Sequence, residues 1–140
     1  LIKSRQLLKK GIDKNLAISL ISSAETSAEV ALSLKLTEKN SISIFRELYE
    51  SIRQLGDAKW WILGYESQSH DASLEILKEL DFLSAEQKIK IQFLDRFKTI
   101  RHDANYRGFK ISIVQAEELI EFWKFVCRDI ITYLKKKAKN

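Results

Sequence analysis

Apolar residues recur at helical spacing along nearly the whole chain and divide it into five expected helices. From about Ser4 to Leu36 the apolar positions include Leu16, Leu20, Ala24, Ala28, Ala31 and Leu34, which predicts a long first helix bent near Gly11. Its small residues Ala24, Ser27, Ala28 and Ala31 would let a neighbouring helix approach closely. Thr37-Glu38-Lys39-Asn40-Ser41 reads as a turn. A second helix, from about Ile42 to Gly64, would bury Ile44, Leu48, Ile52, Leu55, Trp60 and Leu63. Gly56 lies inside it, where glycine costs about 1 kcal/mol relative to alanine, so close packing is expected there. Trp60 and Trp61 are adjacent, so at most one faces the core; the other is a candidate dimer contact. Tyr65–Ser69 reads as a loop. Ser69 is placed to cap a short third helix over about His70–Leu80 that buries Leu74, Leu77 and Leu80.

Two capping boxes mark the remaining helices. Ser84-Ala85-Glu86-Gln87 starts a fourth, and Ser112-Ile113-Val114-Gln115 starts a fifth. The fourth carries an apolar stripe at Ile89, Phe93, Phe97, Ile100 and Ala104 and ends at Gly108, in the usual place for a helix-stopping glycine. The fifth runs to about Lys135 with Ala116, Leu119, Ile120, Trp123, Cys127, Ile130 and Leu134 on its apolar face. Glu117 and Glu118 near its start and lysines at its end suit the helix dipole. Short connections between helices imply an all-α, up-and-down bundle of about five helices, forming one domain over residues 1–140.

Composition supports this fold and narrows the function only slightly. There is no proline and there are only four glycines, which favours helix. No apolar run approaches the roughly 20 residues of a membrane span, so no membrane role is expected. The single cysteine, Cys127, reads as a small core residue, and a cytoplasmic location is the expectation. No signal peptide is visible in a chain that begins at Leu1. Two histidines far apart and no cysteine pair give no metal signature, and no cofactor is expected. The net charge of +5 tolerates an anionic partner without requiring one. Much of the excess lies in Lys135, Lys136, Lys137 and Lys139, a tail read as solvated.

The chemistry gathers at the end of the fourth helix. Lys98, Arg101, His102 and Asn105 flank the apolar stripe there, with Tyr106 and Arg107 one turn on and Arg96 before them. Arg101 offers a fork of donors to a phosphate, or else a salt bridge to Asp103 or Asp57. His102 is a candidate base at neutral pH. A phenol such as Tyr106 is a poor base there, but it can donate to a phosphate or stack on a nucleobase. Asn105 is a candidate ligand-orienting group or a helix-end partner. Lys98, Arg107 and Arg96 are candidate rim cations, as is Lys110. His70 and Asp71 read as part of the capping corner at Ser69. No glycine-rich phosphate loop, Ser-His-Asp order or supported carboxylate pair is present.

The helix order, the junction Gly64-Tyr65-Glu66-Ser67-Gln68-Ser69-His70-Asp71, and the run Arg101-His102-Asp103-Ala104-Asn105-Tyr106 together resemble a HEPN domain over nearly the whole chain. In catalytic members the signature is an arginine, a polar residue, a few more residues and a histidine, and the implied activity is metal-independent RNA cleavage by a homodimer. Arg101 and His102 match the first two positions, and the terminal histidine position falls on Tyr106. A second register pairs Arg96 with His102, but these point about 120° apart on a helix. The resemblance therefore implies RNA or nucleotide binding with catalysis through Arg101, His102 and Tyr106. Its alternative is a non-catalytic partner of a minimal nucleotidyltransferase, in a toxin–antitoxin or accessory role, with Tyr106 a candidate target of nucleotide transfer.

Overall fold

The structure, a computed structural model, describes residues 6–140. Strand β1 (Leu7–Lys9) precedes three helices, α1 (Lys14–Ser33), α2 (Ser41–Leu63) and α3 (His70–Lys78), with strand β2 (Tyr65–Ser67) between the last two. A fourth rod consists of α4 (Ala85–Lys90), a 3₁₀ turn (Ile91–Phe93) and α5 (Leu94–Arg107). The fifth consists of α6 (Ile113–Phe122), a π-helical turn (Trp123–Cys127) and α7 (Arg128–Lys139). The fold is the all-α bundle that the apolar pattern predicts, with one two-stranded addition.

The departures have local causes. The first helix starts at Lys14, where Asp13 caps it by accepting from the Leu16 amide at 2.9 Å. The expected start at Ser4 lies outside the described residues. Gly11 lies in the connection between β1 and α1 rather than bending a helix, and the Lys10 and Gly11 amides both donate to the Gly64 carbonyl at 2.9 Å. The expected loop at Tyr65–Ser69 supplies β2, which pairs antiparallel with β1, Leu7 opposite Ser67. Strands this short carry no periodicity to read. On α1, Leu16 and Leu34 are exposed, and the buried line is Ala17, Ile21, Ala24, Ala28 and Ala31. Leu63 is also exposed, at the end of α2. In the fourth rod the 3₁₀ turn shifts the helical phase. Ile91 and Leu94 reach the core, whereas Ile89 and Phe93, expected to be buried, face outward. Phe97 and Ala104 are buried as expected.

Helix α2 is the central rod. The alanine line of α1 brings the two backbones close, and Ser51 of α2 ties them by donating to the Ala24 carbonyl at 2.8 Å. The same hydroxyl accepts from Trp123 Nε1 at 3.1 Å, so one buried serine joins α1, α2 and the π turn. Both capping boxes form, at Ser84–Gln87 and Ser112–Gln115. Of the paired tryptophans, Trp60 is buried and donates to the Ala72 carbonyl at 2.9 Å, while Trp61 is half-buried against the core. Cys127 is fully buried, which pushes its thiol pKa up. Among the described residues no helix is long and apolar enough to cross a membrane.

Gly56 lets α2 and α3 pack closely. A Cβ there would sit 1.8 Å from the Ser73 carbonyl oxygen, which is backbone and cannot swing aside. Gly56→Ala is expected to destabilise the fold by about 3 kcal/mol, at the upper end of overpacking costs. Urea unfolding measures this directly, and an unchanged midpoint would contradict the close contact.

Candidate functional site

The polar end of α5 divides by helical geometry into three edges. Lys98, Arg101 and Asn105 recur three and four residues apart and face α2 and α3. Lys98 pairs with Asp71 on α3. Arg101 lays its guanidinium over the Tyr49 ring of α2, 5.3 Å from the centroid. Asn105 Oδ1 accepts two hydrogen bonds from Arg46 of α2, at 2.8 Å from Nη2 and 3.1 Å from Nε. One step round the axis, His102 and Tyr106 form an exposed pair, ring centroids 4.9 Å apart. The Tyr106 side of the pair is among the most exposed aromatic surfaces, at 74%. His102 Nδ1 lies 3.6 Å from Asp103. Gly108, left-handed at φ +70°, terminates the helix as expected.

The other expected cations stand elsewhere. Arg96 makes a two-pronged bond to Glu118 of α6, one prong at 2.8 Å. Arg107 lies 4.0 Å from Asp103 and 5.0 Å from the Phe109 ring centre. Both project roughly 120–140° from Arg101 round the helix. The Arg96 register with His102 is therefore not assembled within one protomer. Neither carboxylate expected to pair with Arg101 does so. Asp57 is held by Ser73 Oγ at 2.5 Å, and Asp103 faces His102 and Arg107. Arg101 makes no ion pair among the described residues, although Arg53, Arg96, Arg107 and Arg128 each have one.

Structure adds residues that local reading missed. Ser69 caps α3 as expected, accepting from the Ala72 amide at 3.1 Å. That cap turns His70 toward the Tyr49 ring, with centroids 6.2 Å apart. Arg53, one turn along α2, donates from Nη1 to both carboxylate oxygens of Glu50 at 3.0 Å. Burial lowers the His70 pKa, and the positive charges of Arg53 and Arg101 lower it further, which favours the neutral imidazole. Burial also pushes the Tyr49 hydroxyl up to about 12, against the opposing pull of Arg101 and Arg53. For Tyr49 and Arg53 the sequence signal is their spacing of four on α2, which is common on mixed helix faces.

An apolar groove between α4 and α6, with Phe93 and Phe125 on its walls, is rimmed by Glu86, Glu117, Glu118 and Glu121. Its carboxylates make it unfavourable for an anion. Among the described residues no group of three or more His, Cys, Asp or Glu is arranged to hold a metal. Comparison with family models, curated proteins and solved structures finds no match for this chain.

The folded state holds Tyr49 neutral to about pH 12, whereas the unfolded chain ionises it near 10. Its contribution to stability is present below pH 10 and is lost as pH rises toward 12. Tyrosinate absorbance should show one of the four tyrosines titrating late, a step absent in Tyr49→Phe. Four overlapping titrations near pH 10 would contradict the burial.

Proposed function

We propose that this chain is a HEPN-like helical protein that binds RNA or a nucleotide through its phosphate at the α5 edge, as a homodimer. The observation that carries this reading is Arg101. It is braced on an aromatic ring and lacks a carboxylate partner among the described residues, so its donor fork is available to an outside anion. Arg46, steered by Asn105, adds a second guanidinium on the same edge. The exposed Tyr106 offers a surface on which a nucleobase can stack. The edge is open on one side within a single protomer, and a second copy facing it would make a cleft.

Metal-independent cleavage in this setting would proceed by attack of a ribose 2′-hydroxyl, its proton passing to a base, on the adjacent phosphorus; the P–O5′ bond breaks, leaving a 2′,3′-cyclic phosphate and a 5′-oxygen that takes up a proton, with Arg101 stabilising the added charge. His102 stands on the outer side of α5 beside Tyr106, which favours a role beside the base over one behind the phosphate. Binding is therefore the primary reading, and RNA cleavage through Arg101, His102 and Tyr106 its catalytic form. A second reading is favoured by the exposure of Tyr106. A phenol so open at a helix end suits modification by a partner nucleotidyltransferase, with this chain as the non-catalytic member of the pair.

Fluorescence anisotropy with a short single-stranded RNA tests the primary reading. Affinity should fall steeply with added salt. Arg101→Ala should weaken binding about tenfold and reduce the salt slope by about one. Light scattering on the same samples should report a dimer. Absence of binding at low salt, by a folded dimer, would overturn the reading and favour the partner role.

A further inference from the structure

Tyr49 and Arg53 sit one turn apart on α2, and each keeps a buried polar atom without a hydrogen-bond partner among the described residues: the Tyr49 hydroxyl and Arg53 Nε. Such atoms are rare in folded proteins and each costs about 1–3 kcal/mol, so two on one face call for an explanation. Burial of Tyr49 is complete, with no exposed surface. Its ring is the common platform for His70 from α3 and Arg101 from α5. Four groups that can donate to an anion meet here, a phenol, two guanidiniums and an imidazole, beside the carboxylates of Glu50 and Asp71.

The surrounding charges favour the same ligand. Those facing His70 are Glu50 and Arg53 from α2, Asp71 from α3, and Arg101 with Lys98 from α5. Glu50 is taken by Arg53 and Asp71 by Lys98, so each carboxylate is matched by a cation. Arg101 remains as the unmatched charge.

We infer that Tyr49, Arg53, His70 and Arg101 form a phosphate subsite where α2, α3 and α5 meet, with His70 as the imidazole that meets the phosphate. This rests on the phosphate-binding reading of the α5 edge and supplies the imidazole that the Tyr106 position lacks. His102 then flanks the nucleobase side of the same edge. A bound anion stabilises the imidazolium, so binding and protonation of His70 are coupled, and affinity rises as pH falls through the His70 titration.

The chain has two histidines, so its imidazole NMR spectrum is simple, and His70→Gln and His102→Gln assign the two. Wild-type protein is titrated with inorganic phosphate and separately with a short single-stranded RNA, with anisotropy recorded on the RNA samples. The expected result is a shift of the His70 ring signals with both ligands and a titration midpoint about one pH unit higher when bound. Arg101→Ala should remove both effects. RNA that binds while His70 stays still, or moves only His102, overturns the subsite and leaves the α5 reading standing. No binding of either ligand overturns both. A His70 response to phosphate but none to RNA supports the subsite and assigns it to a free nucleotide phosphate instead of an RNA chain.

Discussion

The docking of the first turn of α3 onto α2 is the contact on which the candidate site depends. Three groups of α2 hold that turn. Gly56 admits the Ser73 carbonyl, Asp57 accepts from Ser73 Oγ, and Trp60 Nε1 donates to the Ala72 carbonyl. Burial raises the Asp57 pKa, with the Ser73 hydrogen bond working in the other direction. Tyr49 lies seven residues before Gly56, two helical turns away on nearly the same face. The segment that Gly56 pulls inward therefore carries His70 to the Tyr49 ring. Without a glycine at position 56, α3 would stand farther from α2, and the three-helix junction would open.

Charge pairing then decides which cations remain available. Lysines and arginines around the junction are mostly matched: Lys78 with Glu75 and Asp95, Arg53 with Glu50, Lys98 with Asp71. Exposed pairs of this kind add little stability, on the order of 0–1 kcal/mol each. Their larger consequence is to occupy the carboxylates that would otherwise compete for Arg101. The acidic groove between α4 and α6 and the donor-rich edge of α5 thus have opposite character in a chain of modest net charge.

Much of the fold was legible in the sequence because helix punctuation is local. Both capping boxes, the Ser69 cap and the Gly108 stop act within five residues of themselves, and all form as read. The short β pairing was illegible because its signal depends on two segments nearly sixty residues apart. The phase break at Ile91–Phe93 was hidden because a 3₁₀ turn has no residue of its own, and it reversed the exposure of Ile89 and Phe93. At the site, the α5 residues stood out by their crowding. Their sorting into three edges, and the presence of Tyr49, Arg53 and His70, depend on packing that no single helix encodes.

Under the proposed function, phosphate is met at the α5 edge and not by the lysine-rich end of α7, which carries the more obvious charge. Amide chemical-shift mapping with a short single-stranded RNA separates the two most directly. Perturbations should cluster at Arg101, Asn105 and Tyr106, with arginine side-chain signals from Arg46 and Arg101 moving as well. Perturbations confined to Lys135–Lys139, with α5 unchanged, would contradict it.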